Sequence, residues 1–194
     1  MKTIILLIIL SLISCSEKKY KSETSSNEYI LVWADEFDKE GKPDTSKWTY
    51  EFGFIRGGEE QYYTDRIKNA RVENGNLIIE AHLEKIENNT PPFFERPDYV
   101  DKIDTANYTS ASLTTRGIED WKYAKIEIRA KLPRGRGTWP AFWMLGENWG
   151  KIDWPECGEI DIMEHVGYDS LLIHGTVHTK AYNHVLKTQK GKTI

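Results

Sequence analysis

Residues 158–167 read Gly-Glu-Ile-Asp-Ile-Met-Glu-His-Val-Gly, placing three carboxylates, Glu159, Asp161 and Glu164, among the apolar Ile160, Ile162 and Met163. In a strand, successive side chains alternate faces, so Glu159 and Asp161 share one face while Ile160 and Ile162 take the other. Strict alternation sends Glu164 to the wrong side, and one extra residue, a β-bulge at Ile162 or Met163, returns it. Three acids on one face repel one another and lose hydration, which drives their pKa values apart: one carboxylate stays ionised while a neighbour keeps its proton. An ionised nucleophile and a protonated acid about 5–5.5 Å apart are what cleavage of a glycosidic bond with retention of configuration requires. A third acid between them can hydrogen-bond the nucleophile. A solvated acidic strand face is the plainer reading and accounts for one or two acids. It does not account for Trp139, Phe142, Trp143, Trp149 and Trp154 crowding the segment just before them. Indole rings stack on the apolar faces of sugars and are costly to leave exposed together.

The elements that must carry this strand read as antiparallel β-structure. Residues 123–132 alternate cleanly, with Ala124, Ile126, Ile128, Ala130 and Leu132 on one face, and Leu77, Ile79, Ala81 and Leu83 do the same after the turn signal Asn74-Gly75-Asn76. Further short strands are expected near 30–34, 47–53, 109–115, 140–146, 158–164 and 171–179, and no long segment has a helical period. With 194 residues, 39% hydrophobic and 12% aromatic, the chain holds one globular domain without internal repeats. Antiparallel strands separated by turns predict a sandwich. Residues 89–107, with Pro91, Pro92 and Pro97, read as a long surface loop forming one wall of a cleft. Trp33, Trp48 and Trp121 read as core or edge packing, and His165, His174 and His184 as structural or solvated. A net charge of −4 leaves no electrostatic footprint for nucleic acid, whereas a neutral polysaccharide suits an aromatic-rich, mildly acidic chain.

The acid triplet, preceded by Gly-Thr-Trp-Pro-Ala-Phe-Trp-Met-Leu (137–145), resembles glycoside hydrolase family 16 in its bacterial laminarinase-like branch. Trp-Ala-Asp-Glu-Phe (33–37), Glu-Gln-Tyr-Tyr-Thr (60–64), Val-Glu-Asn-Gly-Asn-Leu (72–77), Ser-Ala-Ser-Leu-Thr-Thr-Arg-Gly (110–117) and His-Gly-Thr-Val-His (174–178) match in family order. The resemblance implies an all-β, concanavalin A-like antiparallel jelly-roll sandwich whose concave sheet forms a glycan cleft. It implies Glu159 as nucleophile, Asp161 as its electrostatic helper and Glu164 as general acid/base. Trp139 and Trp143 would stack on donor sugars, His178 would lie near the scissile bond, and Arg116 would contact a sugar hydroxyl. Core packing is the competing reading for Trp143. Gly57-Gly58 stands where relatives often carry Asn, so a donor-side hydroxyl contact is expected to be missing or supplied elsewhere. The implied activity is endo-hydrolysis of β-1,3- or mixed β-1,3/1,4-glucan, as an O-glycosyl hydrolase with polysaccharide as partner and without a cofactor. The same acids serve family members acting on agar, porphyran or carrageenan, and a non-catalytic glycan-binding surface lipoprotein is the alternative from another class.

Met1-Lys2 followed by the apolar run from Ile4 to Ile13 reads as a signal peptide, too short to span a bilayer permanently. Leu12-Ile13-Ser14-Cys15 resembles a lipobox. The expectation is therefore a lipoprotein leader over 1–15 with lipidated Cys15 as the membrane partner, a polar tether over 16–28, and a partial catalytic domain over 29–194. The location expected is the bacterial cell envelope, with simple secretion as the alternative. Lipidation of Cys15 leaves Cys157 alone, so no disulfide is expected. Cys157 is weighed as a nucleophile, but no histidine–asparagine signature accompanies it, and a small packing residue is the better reading. Ile194 falls in what reads as the middle of a hairpin, where family members continue with further strands. The expectation is a C-terminally truncated jelly roll in which the calcium site of some relatives is incomplete, so no metal ligands are assigned.

Overall fold

The computed structural model describes residues 29–56, 58–91, 98–169 and 171–194. The expected leader, the tether and Cys15 lie outside the described residues. The chain divides into a unit over 1–32 and a unit over 33–194. Of the first unit, Tyr29, Ile30, Leu31 and Val32 are described; all are exposed and outside any strand, so the strand expected at 30–34 does not form. A strand needs a neighbour for its backbone polar groups, and an apolar run by itself supplies none.

The second unit is built almost wholly of short strands: β1 Thr49–Tyr50, β2 Gln61–Tyr63, β3 Ala70–Glu73, β4 Asn76–Ile79, β5 His82–Glu87, β6 Thr105–Ser110, β7 Leu113–Thr114, β8 Ala141–Leu145, β9 Glu159–Glu164, β10 His174–His178 and β11 Lys190–Thr193. They pair in the orders β11-β10-β9-β8, β2-β6-β5, β1-β7 and β3-β4. All strand pairs are antiparallel except β2 with β6, which run parallel. The predicted turn joins β3 to β4: Asn74 and Gly75 have φ of 53° and 70°, and two successive positive φ values make the tight hairpin turn that Asn-Gly favours. Among the described residues no helix is long and apolar enough to cross a membrane.

Three expectations are corrected. Residues 77–83 are not one strand with Leu77, Ile79, Ala81 and Leu83 inward. The ladder breaks between β4 and β5, Ile79 is half-exposed and Leu83 is 79% exposed. The inward position goes to Glu84 instead, which accepts hydrogen bonds from Arg66 (2.6 Å), from Lys68 and from Thr109. Those bonds, led by that from Lys68, pull its carboxyl down to about 2. Asn69, fully buried, ties this group to Thr64 (2.6 Å) and Thr109 (3.1 Å). A buried polar network must be satisfied by polar neighbours, and that demand sets the facing of β5, which still alternates, with His82, Glu84 and Ile86 inward. Secondly, residues 123–132 form no ladder among the described residues, and Ile126 and Ile128 are exposed. Alternation sets which way side chains face, while a ladder needs a partner at the right place. Thirdly, the stretch 89–107 is not only loop: a 3₁₀ helix occupies Asp98–Lys102 and β6 begins at Thr105.

That 3₁₀ helix drives Val100 into the core, where it packs with Phe54, Tyr62 and Ala106 at zero exposure. Phe54 meets Tyr62 edge-on at 5.6 Å. Gly53, at φ 85°, lets the Thr90 hydroxyl accept from the Phe54 amide at 3.0 Å; a Cβ there would come within 2.3 Å of that oxygen. Trp33 packs edge-on against Trp48 and Trp121 at 5.4 and 5.3 Å, as expected. Cys157 is buried, as its packing reading requires. Val100→Ala should lower unfolding free energy by about 2–3 kcal/mol through lost transfer energy and a residual cavity. Leu83→Ala should cost less than about 0.5 kcal/mol. Urea denaturation of both variants checks the pair, and a larger loss at Leu83 would contradict the observed facing of β5.

Candidate active site

The geometry of the acids follows from the register of β9. Against β8, Ala141 pairs Glu164 and Phe142 pairs Met163, but Trp143 pairs Asp161, so Ile162 has no opposite number. Against β10, His174 pairs Glu164 and Thr176 pairs Asp161, leaving Gly175 to face Ile162 and Met163 together. The bulge therefore falls where the acid spacing predicts it. Ile160 and its β10 partner Val177 occupy the opposite, partly exposed face.

Asp161 is 5% exposed and hydrogen-bonded to Glu159. Burial, then the Glu159 charge and its hydrogen bond, then Glu164, push the Asp161 carboxyl up to about 7; His178 pulls the other way. Burial also raises Glu159, and the Glu164 charge adds to that, while the hydrogen bonds from Asp161 and Trp154 and the charge of Arg56 lower it. The two effects place the shared proton on Asp161, which donates to an ionised Glu159. The Trp154 indole N–H donates to Glu159 Oε2. Glu164 is reached separately: its Oε1 accepts from Trp139 Nε1 at 3.0 Å, and the Trp139 ring is 65% exposed.

The other sequence-predicted residues divide. His178 pairs Glu159 across β9–β10, and its Nε2 lies 3.4 Å from Asp161 Oδ2. Trp143 lies across the sheet from Asp161 and is half-buried, with the Arg56 guanidinium 5.1 Å from its ring centre. Arg116 is engaged elsewhere: its guanidinium stacks on Trp149 at 4.3 Å and donates to the Trp149 carbonyl at 3.1 Å. Gly150 leaves room for that guanidinium, since a Cβ there would stand 2.6 Å from Nη2. His165, expected to be structural, is buried with Nδ1 3.0 Å from the Leu172 carbonyl.

Three residues at the site carried no functional assignment from sequence, His184 having been read as structural or solvated. Trp154 belongs to the tryptophan block, but its bond to Glu159 depends on the turn at 154–157 folding the chain back. His184 stacks on Trp154 at 4.7 Å and meets His178 edge-on at 5.3 Å, from a turn whose position no motif announces. Arg56 precedes a Gly-Gly pair and reaches the cleft only through tertiary folding. Glu159, Asp161 and His178 also offer ligand atoms within 4.8 Å of one another. That spread exceeds twice a Zn–O or Zn–N bond of about 2.0–2.2 Å, and the Glu159–Asp161 hydrogen bond already uses the carboxylates. The arrangement is that of a proton-sharing carboxyl pair beside a third acid held by an indole.

A carboxyl raised on folding stabilises the fold most below its unfolded pKa, and that contribution is lost as pH rises through the folded value. For Asp161 the loss runs from 3.8 to about 7. Asp161→Asn, which cannot ionise, should melt at a higher temperature than the wild type above pH 7, with the difference shrinking towards pH 4. Thermal melts across that range check it, and a difference constant with pH would contradict the assignment of the proton to Asp161.

A family profile described as XgeA-like, catalytic GH16 domain matches residues 96–194. The chain is 49% identical over 188 residues to the beta-glucanase of Rhodothermus marinus, covering 94% of this chain and 60% of that protein. Among solved structures, the laminarinase of Rhodothermus marinus superposes with a TM-score of 0.72 at 50% identity, over 86% of this chain and 62% of that one. A variant of SCLam, a non-specific endo-β-1,3(4)-glucanase of family GH16, superposes with a TM-score of 0.73 at 45% identity, over 87% and 62%; it carries 1,3-β-D-cellobiosyl-glucose at its active site. The chain thus spans about 60% of the length of these relatives.

Proposed function

The chain belongs to glycoside hydrolase family 16, and from that premise we propose that it forms the catalytic part of an endo-acting, retaining hydrolase of β-1,3- or mixed β-1,3/1,4-glucan. Its all-β architecture is the β-jelly roll of its structural neighbours. The observation that carries the proposal is the bulged β9 strand, which sets an ionised Glu159, a protonated Asp161 and an indole-bound Glu164 on one face. The glucan-hydrolysing relatives support the substrate class.

In this reading Glu159 attacks the anomeric carbon while Glu164 protonates the departing glycosidic oxygen, giving a covalent glycosyl-enzyme. Glu164, now a carboxylate, takes a proton from water, which attacks the anomeric carbon and releases Glu159. Two inversions leave the β configuration. The hydrogen bonds from Asp161 and Trp154 hold Glu159 ionised before attack. As negative charge leaves Glu159 on bond formation those bonds weaken, and they strengthen again when the carboxylate departs. His178, its Nε2 3.4 Å from Asp161 Oδ2, opposes the burial that keeps the proton on Asp161 and so limits how firmly that proton is held. Trp139 and Trp143 serve as platforms for donor sugar rings, and the exposure of Trp139 suits that use. A purely glycan-binding protein would have no use for a buried proton-sharing pair, so catalysis is the favoured reading. The leader and Cys15 make the enzyme a lipid-anchored protein of the bacterial envelope.

Proton NMR of early laminarin products should show the β-anomer first, and an initial α-anomer would overturn the mechanism. Glu159→Ala should lower kcat by about 10⁴-fold or more, on the scale of losing a covalent nucleophile, and azide should then yield an α-glycosyl azide. Glu164→Ala should cost about 10²–10⁴-fold and yield a β-glycosyl azide; azides of one configuration from both variants would reverse the role assignment. Cys15→Ser should release the protein from the membrane fraction and abolish radiolabelled palmitate incorporation, and unchanged membrane retention would refute the anchor.

A further inference from the structure

Arg56 is the most heavily engaged cation beside the cleft, and the mechanism above does not use it. Its guanidinium lies 5.3 Å from the centre of the Tyr63 ring on β2 and 5.1 Å from that of Trp143 on β8. Two carboxylates hold it there: Glu51 Oε2 at 2.9 Å and Glu59 Oε1 at 3.1 Å. Glu51 is itself fixed by the Ser112 hydroxyl at 2.5 Å, and Tyr63 by the Gln61 amide at 2.8 Å. A guanidinium is planar and pre-organised, so it can lie along an aromatic face while its edge serves carboxylates. The indole it touches is the cross-strand neighbour of Asp161.

We propose that Arg56 is a positioning residue of the glycan cleft, fixing the plane of the Trp143 platform between β2 and β8 and bringing a permanent positive charge to the acid strand. The inference rests on the reading of Trp143 as a sugar platform. The structural logic is a relay. Glu51 and Glu59 orient the guanidinium, the guanidinium orients the indole, and the indole presents a flat face beside Asp161. The groups bearing on Glu159 are Asp161 and Glu164 on its own strand, His178 on β10, the Trp154 indole with His184 behind it, and Arg56. Arg56 is the fixed cation in that set and opposes the burial and Glu164 repulsion that would protonate the nucleophile.

The test compares Arg56→Lys and Arg56→Met in the intact enzyme on β-1,3-gluco-oligosaccharides. Arg56→Lys keeps the charge but loses the planar stack: KM should rise about threefold to thirtyfold, the range spanned by a cation–π contact. Its kcat should stay within about twofold, because the platform binds sugar and does not react. The acid limb of kcat/KM should not move. Arg56→Met should raise KM similarly and also displace that acid limb to higher pH, since Glu159 loses a positive neighbour. A wild-type KM in Arg56→Lys, or an unmoved acid limb in a folded Arg56→Met, would overturn the proposal. If Arg56→Met fails to fold because Glu51 and Glu59 lose their counter-ion, Arg56→Lys decides through KM. Near-ultraviolet circular dichroism adds a readout without substrate: the Trp143 band, identified from Trp143→Phe, should change in Arg56→Lys, and an unchanged band also overturns the proposal. Failure of the wild type to cleave any β-1,3-glucan would instead refute the functional reading, leaving the dichroism result to judge Arg56 alone.

Discussion

A strand whose side chains alternate cannot hold residues 159, 161 and 164 on one face, and the whole site depends on how β9 escapes that rule. The escape is local: Ile162 and Met163 share the single partner Gly175 on β10, while on β8 Ile162 has none. The rest of the four-stranded sheet absorbs the irregularity by keeping regular pairing on both sides of it. Glu159 faces Leu145 and His178, and Glu164 faces Ala141 and His174. The bulge thus turns a repeat of two into a spacing of five without breaking the strand.

The cost of this arrangement is electrostatic, and the surroundings show how it is contained. Burying like charges together is unfavourable unless some are neutralised or hydrogen-bonded. Asp161 is neutralised by keeping its proton. Glu159 is hydrogen-bonded by that proton and by the Trp154 indole, and Glu164 by the Trp139 indole. Tryptophan is well suited here because its N–H donates without bringing a competing charge, and the ring of Trp139 remains exposed. A lysine in either place would stabilise the carboxylate more strongly and would also tie it down. The site therefore spends part of the fold's stability on a pair that ionises with difficulty.

Buried polarity is handled the same way outside the site. Asn69 and Thr109, both fully buried, are joined to Arg66, Lys68 and Glu84 in one hydrogen-bonded group. Arg56 with Glu51 and Glu59 forms a second such group, beside β1 and β2 and with its guanidinium against Trp143 on β8. In each case the ions join residues on or beside short strands. The directional demands of the ions specify how those strands lie against one another.

The acid triplet, its bulge, the tryptophan block and the Asn74-Gly75 turn were legible in the chain because each is a local rule. Residue type and spacing along a few positions decide facing, φ and charge repulsion without reference to distant segments. The packing of Trp33, Trp48 and Trp121 and the burial of Cys157 followed from the same kind of reading. Other features were decided only by tertiary structure. The strands expected at 30–34 and 123–132 lacked a ladder, and the run through Leu83 yielded its inward face to Glu84 because Asn69, Thr109 and Arg66 needed a carboxylate there. Arg56, Trp154 and His184 came to the cleft through turns whose direction no local pattern encodes. The amino-acid sequence by itself determined which groups could do chemistry and how one strand must bend to gather them. Only the folded chain decided which neighbours would share their protons, hold their rings and balance their charge, because those interactions join residues far apart in sequence and depend on distances that spacing does not contain.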